Sequence, residues 1–244
     1  MISLSYDLHI HSCLSPCGDG DMTPANIIGM SALKGLDVVA LTDHNSSKNC
    51  RPFLKMAEEY GLIAIPGMEV TTAEEVHVVC LFPDLTAALD FDRFVYHHLI
   101  KVANRPDIFG EQLLYGLDDQ PIGEEPYLLI NSTDLSFDDL YSHVDIRGGV
   151  MIPAHIDKSS NSLLANLGFI PPDSRFDCVE LKNMAHLHRL KKAHPYLDNC
   201  RIISNSDAHY LEQINEPELT ILSKSRRITD ILEALNAKTL RSSK

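Results

Sequence analysis

The chain opens on an alternation of apolar and polar positions. Leu4, Tyr6, Leu8 and Ile10 are interleaved with Ser3, Ser5, Asp7, His9 and His11, a two-residue period that describes a β-strand burying one face. Thr23 suits the N-cap of a helix, Pro24 its first position, where an N–H would have no partner, and Gly35 its end. The apolar run Val38–Leu41 predicts a second strand that closes on Thr42, Asp43 and His44. A helix then passes through Met56 and Tyr60 and stops at Gly61. Short apolar runs at 62–65, 76–82, 127–130, 150–152, 176–181, 201–203 and 219–222 are further strand candidates. Strands alternating with helical stretches build a parallel sheet from βα units, and there are enough of them to close an α/β barrel.

No internal repeat, low-complexity run or Gly/Ser linker marks a boundary, so one domain over residues 1–244 is the simplest organisation. Residues 84–147 exceed the length of a single crossover and include a helical stretch at 91–102. They read as an insertion over the barrel mouth, although two βα units with long loops account for the length equally well.

Composition narrows the function. A 44% hydrophobic content is ample for a core. No apolar run approaches the roughly 18 residues of a membrane helix, and there is no basic-then-apolar leader pattern, so a cytoplasmic protein without a membrane partner is expected. The six cysteines form no C-x-x-C pair and read as free thiols. A formal charge of −13 without a Lys/Arg cluster argues against long nucleic acid and for a small phosphorylated substrate, because nonspecific nucleic-acid binding rests on basic side chains neutralising phosphates. Oligomeric state has no signature here.

The twelve histidines become informative by position. His9 and His11, two apart on a strand, present both rings to one face and can share an ion. Ligand-type residues recur where other apolar runs end: His44, Glu69, His155, Asp207 and His209. In a parallel barrel these ends lie on one face, the usual place of the active site. His77 lies inside a strand with its ring turned into the barrel, where an unpartnered imidazole is costly. Asp19 and Asp21 compete for one more position; Asp19 is favoured, with Asp21 supporting the start of the helix after Thr23. His97, His98, His143, His186, His188 and His194 read as surface residues.

The ordered motifs "DLHIH", "TDHN", "GME", "PAH" and "SDAH" resemble those of the polymerase-and-histidinol-phosphatase (PHP) superfamily over residues 5–209. The resemblance implies a distorted seven-stranded (β/α) TIM-like barrel and a hydrolase acting on phosphoesters, as phosphomonoesterase or phosphodiesterase, with two or three divalent ions (Zn, Mn or Fe). It places His9, His11, Glu69 and Asp207 around one ion and Asp19, His44 and His209 around a second. A bridging Glu69 would join His77 and His155 on a third. It further implies an attacking metal-bound hydroxide held by Glu69, Asp207 and His209. The loop after His11 is longer than the common family form.

Asp43 and Asp7 are candidates to support these ligands from behind. Lys158, Arg147 and Arg51 are candidates for a substrate phosphate, Lys158 first. An amidohydrolase-type metal hydrolase is the rival enzyme reading, since such enzymes also begin with H-x-H on a barrel strand. A noncatalytic metal-binding module is the third.

Overall fold

The computed structural model describes residues 1–236 of the 244-residue chain; the last eight positions of the expected domain lie outside the described residues. Strand β1 (Ile2–Ile10) is buried on both faces from Leu4 onward, where alternation predicts one. Leu4, Tyr6 and Leu8 pack in an inner cluster with Val38, Ala40, Ile65 and Ile152. Ile10 instead joins Ile27, Ile28 and Phe53 on the helix side. The face changes because the pairing of β1 with β2 (Val38–Leu41) shifts register between Asp7 and Ile10. An extra residue in a strand puts two consecutive side chains on one side, and this one turns His9 and His11 inward.

Helix α1 (Pro24–Lys34) starts with Thr23 accepting from the Asn26 N–H and ends on Gly35 at φ 80°, and α2 (Cys50–Tyr60) ends on Gly61 at φ 69°. Both glycines adopt a left-handed conformation that side chains disfavour. These helices cover β2 and β3 (Ile63–Thr71) through Ile27, Ile28, Phe53 and Ala57. Strand β4 (His77–Leu81), α3 (Leu85–His98), α4 (Pro106–Phe109), the β5–β6 hairpin (Leu113–Tyr115, Pro121–Glu124), α5 (Phe137–Asp145) and β7 (Val150–Pro153) follow. Then come α6 (Leu163–Leu167), β8 (Cys178–Glu180), α7 (Leu187–Ala193), β9 (Arg201–Ile203), β10 (Thr220–Ser223) and α8 (Ile228–Leu235). Helices α3 and α5 bury Phe91, Val95, Phe137 and Leu140 against Met68, Val78 and Cys80, while α8 inserts Ile231 and Leu235 into the inner cluster.

The fold is α/β and consistent with a TIM-like barrel, although among the described residues its strands do not form the single seven-stranded ladder expected. A curled six-stranded sheet runs β10-β1-β2-β3-β4-β7, and β8-β9 form a separate pair. Among the strands described, β1-β2-β3 and β8-β9 pair parallel, and β10, β4 and β7 join antiparallel. The reversal has a local cause. Strand β3 continues to Thr71, past the expected end at 65, and returns through a short turn into β4, so that Thr71 pairs with His77. Short contacts join the β8–β9 pair to the sheet: the Ile156 N–H donates to the Glu180 carbonyl (3.0 Å) and the His11 N–H to the Ala208 carbonyl (3.0 Å).

Residues 127–130 form no strand. Leu128 and Leu129 are buried, but side-chain amides satisfy the backbone there: Asn45 Nδ2 donates to the Leu129 carbonyl at 2.7 Å, and the Leu129 N–H donates to Gln112 Oε1 at 2.8 Å. The segment 84–147 is held to the loops after β1 and β2 by these bonds and by the Leu113 N–H, which donates to the Cys13 carbonyl at 2.9 Å.

Candidate metal centre

The ends of β1, β2 and β3 and the start of β4 meet on one face. Because β4 is antiparallel, its first residue, His77, stands opposite Thr71 at the far end of β3. His44 forms a parallel bridge with Glu69, secured by the Glu69 N–H to the Asp43 carbonyl (3.1 Å) and the Asn45 N–H to the Glu69 carbonyl (2.9 Å). His155 and Asp207, which follow β7 and β9, adopt positive φ of 31° and 54°. Such backbone is uncommon outside glycine and collects at functional sites.

Glu69, 1% exposed, is the hub. Its Oε1 lies 3.3 Å from His9 Nε2, 3.1 Å from His77 Nδ1 and 3.3 Å from His155 Nε2. Its Oε2 lies 3.4 Å from His11 Nε2 and 3.1 Å from His44 Nδ1. Asp207 Oδ1 stands 3.5 Å from the Nε2 atoms of both His9 and His11. The His209 ring stacks on His11 with centroids 4.4 Å apart.

Three imidazoles have their protons assigned by their outer partners. His9 Nδ1 donates to Glu180 Oε2 at 3.0 Å. Ser15 Oγ gives its own proton to Asp43 Oδ1 at 2.8 Å, so it accepts from His11 Nδ1 at 3.1 Å. His209 Nδ1 donates to the Asp207 carbonyl at 3.0 Å. In its neutral form each ring therefore carries its lone pair on Nε2. His9 Nε2 and His11 Nε2 lie 3.1 Å apart, an arrangement that repels unless a cation lies among the lone pairs. Glu69 Oε2, His44 Nδ1 and both ring nitrogens of His155 are buried with no hydrogen-bond partner, their close approaches lacking hydrogen-bond geometry. Four atoms coordinating one ion at about 2.0–2.1 Å stand about 3.3 Å from one another. The observed spacings have that value, so the residues fit divalent ions.

The electrostatics agree. Burial lowers the pKa of His11 to about 4 and that of His44 well below the usual imidazole value. Burial also opposes a charged His9, but the Glu180, Glu69 and Asp207 carboxylates outweigh it and raise that pKa. Burial acts to raise the pKa values of Glu69 and Asp207, and the surrounding histidines pull both below the normal carboxylate range. These anions, the neutral His11 and His44 rings, and a His9 whose place among three carboxylates favours positive charge, which an ion can supply as well as a proton, form a mixed N/O donor set.

Three groups have donor atoms close enough to share an ion: His9, His11 and Glu69; His11, His44 and His209; His44, Glu69 and His77. The grouping differs from the expected one at Asp207, Asp19 and His155, which fall in none of the three groups, although Asp207 and His155 stand within 3.5 Å of ligands expected beside them. Asp19 is not drawn into the cluster. Its backbone N–H donates to the His209 carbonyl (2.9 Å) and its Oδ1 accepts from the Asp21 N–H (2.9 Å), a local turn that uses the short carboxylate where it stands. Asp21 is exposed. His11 stands beside His44 and His209 where Asp19 was expected, and His44 joins Glu69 and His77, with His155 Nε2 also 3.3 Å from Glu69 Oε1.

Asp43 accepts from the Ser12 N–H (2.7 Å), Ser12 Oγ (2.7 Å) and Ser15 Oγ, and so orients His11 through Ser15. Asp7 receives the Ser206 N–H (3.1 Å) and the Asn215 N–H (3.0 Å), holding the loop that carries Asp207 and His209. Lys158 Nζ lies 3.0 Å from Asp207 Oδ2. Arg147 lies elsewhere: it precedes β7 and bonds to Asp90 (2.8 Å) and the His143 carbonyl (2.7 Å). Arg51 is exposed in the first turn of α2. Sequence reasoning missed Glu180, which also receives the His155 N–H at 3.0 Å and Asn205 Nδ2 at 2.6 Å. Glu180 stands inside the apolar run 176–181, one residue before its end, where nothing nearby in the chain marks its partners.

Comparison with known proteins places this geometry. The family description "PHP domain" matches residues 7–237. The chain is 34% identical over 92 residues to a 5'-3' exoribonuclease of Haemophilus influenzae, covering 34% of this chain and 32% of that protein. The chain spans less than half the length of the curated relatives it matches. Among solved structures it resembles the lesion-specific endonuclease Q of Pyrococcus furiosus, with TM-score 0.67 and 20% identity over 96% of this chain and 56% of that one. Endonuclease Q has also been solved with a 27-mer duplex bearing an abasic lesion at its active site. An amidohydrolase of Chromobacterium violaceum shares the fold at TM-score 0.58 and 17% identity, over 88% and 90% of the two chains. The inference from net charge that long nucleic acid is an unlikely partner is overturned by the exoribonucleases and endonuclease Q among these relatives, which act on nucleic acids. Its flaw is physical, because remote surface charges are screened over about 8–10 Å while a site acts at contact. With the family model covering nearly its whole length, the chain belongs to the PHP domain family, whose members are metal-dependent.

Proposed function

We propose that the chain is a metal-dependent hydrolase of phosphate esters, holding two or three divalent ions and acting on nucleotides or nucleic acid. The observation that carries this reading is the convergence of bare imidazole lone pairs and carboxylates described above. His9, His11, Glu69, Asp207, His44, His77, His155 and His209 would hold the ions, and their N/O donors suit Zn, Mn or Fe better than Mg or Ca. Such ions polarise phosphoryl oxygens and acidify bound water.

The chain's own groups set the stage. Glu180, Ser15 and the Asp207 carbonyl keep the protons of His9, His11 and His209 on Nδ1, so the Nε2 atoms stay available. Lys158 places a cation at the rim beside Asp207, where it can meet a phosphate oxygen. The rival amidohydrolase reading is less well supported, because a carbamate-type ligand requires a buried lysine and no lysine is buried among the described residues.

The test is metal content after purification without chelator, followed by hydrolysis of p-nitrophenyl phosphate and of a single-stranded oligonucleotide with and without manganese. Bound metal with phosphoester turnover is expected. A metal-free chain that hydrolyses neither substrate, or one that cleaves a cyclic amide while leaving both intact, overturns the reading.

A further inference from the structure

A cavity of about 780 Å³ opens beside the candidate metal centre. Asp207 and His209 form the edge it shares with that centre, and Lys158, Lys182, Tyr210 and Gln213 line the rest of what matters here. The volume exceeds that of a phosphate and matches the roughly 300–1,000 Å³ of pockets that take a whole small molecule.

The wall has a consistent chemistry. Lys158 Nζ bonds to Asp207 Oδ2 at 3.0 Å, and Lys182 Nζ donates to the Ser206 carbonyl at 2.5 Å, so both ammonium groups are held at the loop that carries the ligands. The Lys182 backbone is fixed as well, since its N–H donates to Asp157 Oδ1 at 2.7 Å and that of Asn183 to Asp157 Oδ2 at 2.9 Å. Asp207, the one carboxylate among the lining residues, turns Oδ1 to His9 and His11 and Oδ2 to Lys158, which leaves Lys182 as the cation with no carboxylate on the wall opposite it. Within a chain of net charge −13, this wall is locally cationic. Tyr210 directly follows His209, is 46% exposed, and stacks on no other ring among the described residues.

We propose, building on the phosphoesterase reading, that this cavity is the nucleotide subsite of a single-stranded substrate. The Tyr210 ring takes the face of an unpaired base, and Lys158 and Lys182 take the phosphate next to the one at the metal centre. A stacking platform combined with fixed cations is how single strands are gripped without sequence reading. A base inside a duplex is already stacked on its neighbours and offers its face only if it is flipped out, at a cost of a few kcal/mol.

The experiment measures equilibrium binding of a fluorescein-labelled single-stranded pentanucleotide by the metal-loaded protein and by Tyr210→Ala, Tyr210→Phe and Lys182→Ala. Alongside it, the ratio of kcat/KM for the pentanucleotide to that for p-nitrophenyl phosphate is determined. Loss of one base–aromatic stack corresponds to roughly 5–150-fold. Tyr210→Ala should therefore weaken pentanucleotide binding and lower the ratio by at least fivefold, and Tyr210→Phe should restore most of both. Lys182→Ala should flatten the salt dependence of binding by about one phosphate contact. Binding within twofold of wild type in Tyr210→Ala overturns the subsite, as does tighter binding of a matched duplex. So does hydrolysis of p-nitrophenyl phosphate by a wild-type protein that neither binds nor cleaves the pentanucleotide, a result that leaves the phosphoesterase reading standing. A metal-free protein inert to both substrates removes that reading instead, while the binding comparison still judges the cavity.

Discussion

His9 Nδ1 and Glu180 Oε2 lie 3.0 Å apart, and both side chains are shielded from solvent at 0% and 1% exposure. Glu180 reaches no farther into the cluster than His9, His155 and Asn205, so it acts by orienting ligands. Partners of this kind typically govern metal affinity by about 10–100-fold. Glu180→Gln is expected to weaken metal binding by that factor while leaving the fold intact, read by metal titration together with circular dichroism. Wild-type affinity in the variant would refute the role.

Bound metal should also stabilise the fold. An ion that binds only the native state at a hundredfold above its Kd contributes about 2.7 kcal/mol, which for a domain of this size shifts Tm by roughly 5–10 °C. Dialysis against a chelator should lower Tm by that amount, and restored metal should recover it. An unchanged melting curve across the two states would contradict the centre.

Gly67 is a packing test on the strand that carries Glu69. A Cβ there would meet the Cys80 carbonyl oxygen at 2.8 Å, Leu81 Cδ2 at 2.9 Å and Thr42 Cγ2 at 3.1 Å. Overpacking of this kind costs about 1–3 kcal/mol. Gly67→Ala should lose that much in urea denaturation, and a loss below the measurement error would show that β3 and β4 can part at no cost.

Asp157 provides a pH dependence. Burial acts to raise its pKa, but the N–H groups of Lys182 and Asn183 and the ring of His186 overcome this and hold it below the usual value. A carboxylate depressed in the folded state contributes stability that is fully present above its unfolded pKa, about 3.9, and is lost as pH falls through the lower folded value. Asp157→Asn should cost about 1–2 kcal/mol at pH 7, and the gap from wild type should close as pH drops below about 4. A gap independent of pH, measured by urea midpoints at pH 7, 5 and 3, would show that the carboxylate charge plays no part.

Much of the centre was legible in the chain because ligand-type residues stand where apolar runs stop. His44, Glu69, His155 and Asp207 follow that rule, and all of them gather around Glu69 and the His9–His11 pair. Asp19 shows its limit. Residue type alone does not say whether a short carboxylate reaches inward or folds back on the next backbone N–H, as this one does. Glu180 was passed over for the opposite reason, since a charge in an apolar run carries no sign of the histidine it will meet 171 positions away in the chain.

What the sequence determined by itself is local. Thr23 with Pro24, Gly35 and Gly61 set the ends of the first two helices, because caps depend on the conformations a few adjacent residues can adopt. The tertiary structure decided the rest: the antiparallel return of β4, the register shift that turns His9 and His11 inward, and which imidazoles share Glu69. Those outcomes depend on which strand lies alongside which, and that is chosen by the burial of whole faces against one another, a property no short window of residues contains.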